Sequence, residues 1–308
     1  VSLMSSLPSV GLHRGILFQD YLAWDALSNS RVGLLAKSPA HFQAGFSDDP
    51  KPSLQLGSLI HCGTLEPGAV AARYAVRPDY ASDERNHTVK KGTKGAPDEK
   101  VRSYSASTTW AKQQCEEWEK LNPDKEIVTQ KQFDTFLGIA LAICDNSTAL
   151  NVFESGEAEV SVFWFEEVAT AAGVVNVPCK ARVDWLRDDL FADLKSCADA
   201  AEFERSIENY GYGRQMAWYQ RGLLVTTGKL LQPWLMACET NRPYCSRCAP
   251  CSGDLLRAGW AECERLLRLW CECQASGEWP GYANPLEWGA ASSDAAAVAD
   301  WFDSVAVG

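Results

Sequence analysis

Asp184, Asp193 and Lys195 set two carboxylates and an ammonium within the short run KARVDWLRDDLFADLK, residues 180–195. The run reads as two short strands joined by a charged turn, with Asp184 near the end of the first and Asp193-Leu194-Lys195 closing the second. Side chains alternate across a strand, so Asp193 and Lys195 share a face and Leu194 points the other way. A hairpin brings Asp184 alongside them. Hard oxygen donors beside a cation suit a divalent ion and a water aimed at a phosphodiester. An isolated D-x-K is more often the surface ion pair of a charged hairpin, so the surrounding elements must decide.

Four more polar residues stand on elements able to reach that hairpin. His61 lies on the helical stretch KPSLQLGSLIHCGTLEP, where Leu54, Leu56, Leu59 and Ile60 give an apolar face and Gly57 permits close packing. A histidine on such a face is ordinarily a core residue. Glu159 opens EAEVSVFWFEE, a run with the composition of a buried strand. Gln215 and Tyr219 fall one turn apart on a helix expected from Arg214, with Met216, Trp218 and Leu223 packing inward. Each of these residues has an ordinary structural explanation when taken singly.

The remaining chain supplies scaffold. Ser28 or Ser30 caps a helix from Arg31 that stops before Ser38-Pro39. Residues 105–148 read as two helical pieces broken at Asn122-Pro123. The second piece sets Phe133, Phe136, Ile139, Ala140 and Ile143 at helical spacing. Residues 196–209 suggest a loop or short helix, followed by a break at Gly211 and Gly213. The C-terminal part reads strand, strand, helix, and Leu255, Leu266, Leu269 and Trp270 form the helix stripe. The segment 79–101 is a flexible polar loop whose Lys90, Lys91 and Lys94 are either solvated or placed against phosphates. We expect one domain over residues 1–290 and an acidic tail over 291–308, in which Trp301, Phe302 and Val305 offer a docking face.

The chain has 308 residues, 46% of them hydrophobic and 22% charged, which is ordinary for a globular domain with a sizeable core. No apolar run reaches the ~18 residues of a membrane span, and the first residues lack a basic-then-apolar leader, so a cytoplasmic location is expected. The net charge is −11. A chain this acidic does not coat itself with nucleic acid, so any contact with DNA must come from a local basic lining.

In order, these pieces resemble the PD-(D/E)xK nuclease superfamily. Within it they are similar to the RecE-type phage and prophage exonucleases (exonuclease VIII), relatives of lambda exonuclease. The resemblance rests on SPAHF (38–42), LGSLIHCGTLEP (56–67), AEVSVFW (158–164), KARVDWL (180–186), ADLKS (192–196), YGYGRQMAWY (210–219) and GEWPGY (277–282). It implies an α/β fold with a mixed central sheet flanked by helices. It also implies that His61, Glu159, Asp184, Asp193 and the Leu194 carbonyl hold the metal, Mg2+ with Mn2+ as substitute. Lys195 would serve the attacking water, and Gln215 and Tyr219 would position DNA or the lysine. The implied activity is 5′-to-3′ digestion of linear double-stranded DNA, leaving 3′ single strands for a RecT-like annealing partner. The implied assembly is a ring-shaped homo-oligomer that threads DNA. Arg31, Lys37, Lys180 and Arg182 are the candidate DNA contacts.

Cysteine usage leaves an alternative open. Of twelve cysteines, Cys245, Cys248 and Cys251 form C-x-x-C-x-x-C with Cys238 upstream, which is metal-ligand spacing. A Cas4-like iron–sulfur nuclease or a non-catalytic zinc-bearing module that binds DNA ends or protein would use it. The only early cysteine near a motif is Cys62, directly after His61, which departs from the one-early, three-late arrangement of the iron–sulfur relatives.

Overall fold

The computed structural model describes residues 7–46, 52–80, 88–89, 102–103 and 109–282. The lysines of the polar segment (Lys90, Lys91, Lys94) and the acidic tail lie outside those residues. Six strands form one mixed sheet in chain order: β1 (Gly11–His13), β2 (Glu157–Thr170), β3 (Gly173–Leu186), β4 (Leu190–Cys197), β5 (Gln232–Glu239) and β6 (Ser246–Pro250). All neighbours pair antiparallel except β4 and β5, which run parallel. The main helices are α1 (Asn29–Lys37), α2 (Pro52–Leu65), α3 (Gln130–Cys144), α4 (Phe203–Tyr210), α5 (Tyr212–Thr227) and α6 (Gly253–Ser276). A parallel pair needs a crossover connection, and α4 and α5 supply it.

The longest contact in the sheet is the β2–β3 hairpin, paired from Glu157↔Leu186 to Thr170↔Gly173. Its valines and aromatics fill the core: Val160, Val162, Trp164, Val177 and Val183 pack with Trp218 and Leu223 of α5 and Leu266 of α6. On the other side of the sheet, Ile60 of α2 and Ile139 and Ile143 of α3 enclose Leu194 and Met236. The sheet is therefore sandwiched, which is why its central strands read as apolar runs.

Two helix contacts fix α5 where the site needs it. A Cβ on Gly259 of α6 would sit 2.3 Å from the Gly213 carbonyl oxygen, so the helices touch backbone to backbone. Beside that contact the buried Arg214 donates to Glu262 (2.8 Å) and Asn29 (3.1 Å), tying α5 to α6 and α1. Gly211 takes φ +66 in the turn between α4 and α5, a conformation that costs L residues a Cβ clash.

Several local expectations change. β3 is not a short strand. It runs fourteen residues and pairs mainly with β2, meeting β4 only at Trp185↔Ala192 and Leu186↔Phe191. The break at Asn122-Pro123 holds a strand, Glu126–Thr129, parallel to Tyr74–Arg77. Four residues are too few for periodicity to reveal it. Gly57 has open space around it, and the close approach is made by Gly63 against Phe136. Ser28 rather than Ser30 caps α1, accepting from the Arg31 N–H. No single helix among the described residues is long and apolar enough to cross a membrane.

Candidate active site

Asp184 and Asp193 stand opposite each other one step beyond the last β3–β4 pair, where that ladder ends while β4 stays paired with β5 along its whole length. The gap opened there lets side chains from both helical layers enter. α2 presents His61 from one side, its Nδ1 3.4 Å from Asp184 Oδ2. α5 presents Gln215 from the other, its Nε2 2.7 Å from Asp193 Oδ1.

Across the hairpin, the register Ala158↔Trp185 and Val160↔Val183 puts Glu159 opposite Asp184. Glu159 has φ +56, one of two non-glycine residues with positive φ among those described. Such a conformation costs of order 1–3 kcal/mol and persists where the surroundings over-determine it. It interrupts the ladder at the position facing Asp184. Ligand atoms of His61, Glu159 and Asp184 all lie within 4.8 Å of one another, one imidazole and two carboxylates.

Asp184 accepts a hydrogen bond from the Leu194 N–H (2.8 Å). Burial, then the neighbouring Asp193 carboxylate, push its carboxyl well above the usual range, against His61 and Lys195. Asp193 is 1% exposed and forms an ion pair with Lys195 through Oδ2. The Lys195 ammonium is the partner of this buried oxygen, which has no other donor among the described residues. One imidazole and two carboxylates converging beside a further buried carboxylate have the chemistry a divalent cation satisfies. The residues therefore fit a metal. Asp193 does not belong to the cluster of three as it stands, being turned toward Lys195 and Gln215.

Burial pulls the Lys195 ammonium down, but Asp193 and Asp184 outweigh it and the net shift is upward. Lys195 is thus held as a cation. Gln215 also donates to the Tyr219 hydroxyl oxygen (3.0 Å), joining both residues to Asp193 as one chain. Leu194 buries its side chain in the opposite layer and gives its N–H to Asp184.

One neighbour of the site escaped the sequence reading, and another takes a role other than the DNA contact expected of it. Tyr212 lies under the catalytic-lysine candidate, with Lys195 Nζ 4.9 Å from its ring centroid. Its position one turn before Gln215 was the available signal. Arg182 is a partner of Glu159, Nε to Oε2 at 2.5 Å, and also donates to Ser161 and to the Ile16 carbonyl. It shares the alternate-residue face of β3 with Asp184.

The expected DNA contacts look different in place. The Lys180 ammonium is buried and donates to the Tyr21, Leu22 and Trp24 carbonyls (2.9, 3.1 and 2.6 Å), with burial pulling it down to about 8. All three of its N–H groups are used, so it anchors the N-terminal segment and has none left for a phosphate. Arg182 is likewise consumed by Glu159. Arg31 lies over the Phe42 ring, 4.1 Å from its centroid. Lys37 is exposed and forms no ion pair among the described residues.

The cysteines do not converge. His61, Glu159 and Asp184 form the only metal-competent group of three among the described residues. Cys238 and Cys248 belong to the α2–α3 side of the sheet, Cys251 packs in the α5–α6 core and Cys245 is exposed. Burial pushes the Cys238 and Cys251 thiols up to about 12 and Cys248 up to about 11, opposite to what thiolate ligands need.

A mixed sheet whose neighbouring strands carry Glu159, Asp184 and Asp193-x-Lys195 at one splayed end defines a PD-(D/E)xK nuclease-like protein. The chain belongs to the family described as PDDEXK-like domain of unknown function (DUF3799), whose profile matches residues 28–289. Among solved structures it is similar to the crystal structure of a "Putative exonuclease" from Eubacterium rectale. The TM-score is 0.52 at 15% identity, covering 89% of this chain and 97% of that one, a likeness of fold. A second similar structure, SSO0001, has a TM-score of 0.25 at 16% identity over 50% of this chain and 67% of that one, too low to carry an argument. No curated protein matches the chain.

Proposed function

We propose that the chain is a divalent-metal-dependent exodeoxyribonuclease that digests linear duplex DNA from 5′ ends and leaves 3′ single-stranded overhangs for a RecT-like annealing partner. The observation that carries the reading is the His61–Glu159–Asp184 cluster beside the buried Asp193 carboxylate and its Lys195 ammonium. His61, Glu159, Asp184 and Asp193, with the Leu194 carbonyl, would hold the ion. Mg2+ suits the hard oxygen donors and Mn2+ tolerates the imidazole. When bound, the ion supplies Lewis-acid polarisation and a more acidic water.

The chain's own residues do the rest. Leu194 N–H fixes the Asp184 carboxylate, and Arg182 fixes Glu159. Gln215 and Tyr219 hold Asp193 in the orientation that keeps Oδ2 facing Lys195. As an ammonium, Lys195 donates to the attacking water or to a phosphoryl oxygen and offsets charge that develops there. A ring of subunits threading DNA fits the apolar outer faces of α3 and the following helix, where Leu137, Leu141 and Leu150 are exposed.

The test is digestion of linear duplex carrying 5′ or 3′ label, with Mg2+ against EDTA, beside Lys195→Ala. We expect loss of 5′ label from the unmutated protein alone, none in EDTA, and a rate ~10²–10³-fold lower for the variant, the loss typical of removing one transition-state donor. Nicking of closed circles at a comparable rate would sink the exonuclease reading.

A further inference from the structure

Among the described residues, most cations around the candidate site are spent on the protein itself. Lys180 serves three carbonyls, Arg182 serves Glu159, Lys195 serves Asp193, Arg214 serves Glu262 and Arg221 serves Glu166. The chain as a whole carries −11. These described cations therefore offer little phosphate attraction, the usual source of affinity for nucleic acid, and a DNA strand at this place gains from another hold.

An aromatic stack leads from solvent to the lysine. Phe203 and Tyr212 lie 5.7 Å apart at 26°, and Tyr212 and Tyr210 lie 5.7 Å apart at 29°. Lys195 stands over the middle ring. Tyr210, the outer member, is 67% exposed, and its side chain makes no hydrogen bond among the described residues. It is the last residue of α4, directly before Gly211 at the α4–α5 junction. It borders a cavity of about 620 Å3 lined by Asn29, Ser30, Lys37, Asn209 and Gln215 among others. Gln215 both lines this cavity and donates to Asp193, so the two are separated by one side chain. The lining offers amide and hydroxyl groups for base edges; Arg214 and Glu262 in it neutralise each other, and the Lys37 ammonium and the Glu208 carboxylate are its remaining charges, so base contacts rather than phosphate attraction must supply the hold. An exposed ring, adjacent amides and a volume inside the ~300–1,000 Å3 range of small-molecule sites match one unpaired nucleotide.

We propose that Tyr210 is a base-stacking platform and that the Asn29–Lys37–Asn209 cavity receives an unpaired nucleotide of the DNA strand beside the catalytic centre. The proposal rests on the nuclease reading and deepens it. The test is fluorescence anisotropy of a short labelled oligothymidylate with Tyr210→Ala and Tyr210→Trp in EDTA, at low and high salt. Melting temperatures of the variants serve as the folding control. Tyr210→Ala should weaken binding by about 5- to 150-fold, the equivalent of ~1–3 kcal/mol of base–aromatic stacking, by a similar factor at both salts, whereas Tyr210→Trp should bind as tightly as the unmutated chain. An abasic nucleotide in the probe should weaken binding to the unmutated protein and add nothing to the Tyr210→Ala loss. Equal affinity of Tyr210→Ala and the unmutated chain would overturn the proposal while leaving metal-dependent cleavage intact. A changed subunit number with unchanged oligonucleotide affinity would overturn it in favour of a subunit contact. Failure of the unmutated chain to bind or cut DNA at all would remove the nuclease reading as well.

Discussion

Neutralising Asp184 should make the metal-free protein more stable while abolishing its metal response. Burial and then the Asp193 carboxylate weigh most against the Asp184 charge, and ligand atoms of Glu159 add to them from within 4.8 Å. Two unit charges at that distance repel by about 3.5 kcal/mol at an effective dielectric constant of ~20. Arg182 on Glu159, and His61 and Lys195 near Asp184, offset part of this. We take roughly 1–2 kcal/mol as the surviving penalty, the usual gain from relieving a strained functional site. Asp184→Asn keeps an oxygen to accept the Leu194 N–H, so no buried donor is orphaned. For a chain of this size the gain corresponds to a rise in Tm of ~2–4 °C. The carboxyl is raised in the folded state, so the folded chain binds more protons than the unfolded one from the ordinary value of 3.8 upward toward neutrality. Stability of the unmutated protein in EDTA therefore falls as pH rises through that window, and the advantage of Asp184→Asn grows with it. Mn2+ at a hundred times its Kd should stabilise the unmutated chain by about 2.7 kcal/mol and the variant far less. Differential scanning calorimetry across pH, in EDTA and in Mn2+, measures both effects. A lower Tm for Asp184→Asn in EDTA, or an equal Mn2+ shift in both proteins, would refute the reasoning.

Two further outcomes follow from packing and from the thiols. Gly259→Ala drives a methyl into the Gly213 carbonyl, so it should cost ~1–3 kcal/mol and lower Tm in a thermal melt. Cleavage should also weaken, because α5 carries Gln215. Cys245→Ser with Cys248→Ser should leave Mg2+-dependent cleavage unchanged, and metal analysis of the purified unmutated protein should find no stoichiometric zinc or iron. Cysteine-ligated iron seen as absorbance near ~400 nm would contradict the dispersed thiols.

Local chemistry made much of this protein readable before any fold was known. Alternation alone puts Asp193 and Lys195 on one face of β4 and Leu194 on the other, and one helical turn alone joins Gln215 to Tyr219. These are short-range rules, and the structure keeps them. The apolar spacing of α3 likewise shows its core positions, because Phe136, Ile139 and Ile143 repeat with the helix.

What only the tertiary structure decided depends on contacts between residues far apart in sequence. Glu159 reads as a solvent-facing strand end, yet the β2–β3 register sets it against Asp184 and its positive φ breaks the ladder there. His61 reads as core, yet α2 crosses the sheet at the place where β3 and β4 part. Lys180 and Arg182 read as free charges, and burial turned both into internal braces. The cysteines have ligand spacing along the chain, but β5, β6 and the turn after them send their sulfurs to different sides of the sheet. Asp184 and Asp193 stand opposite each other one step past the β3–β4 ladder, as a hairpin required. The long hairpin with β2, the splay at that step, and the two helices that fill it make the pair a site, and those follow from how the whole sheet packs.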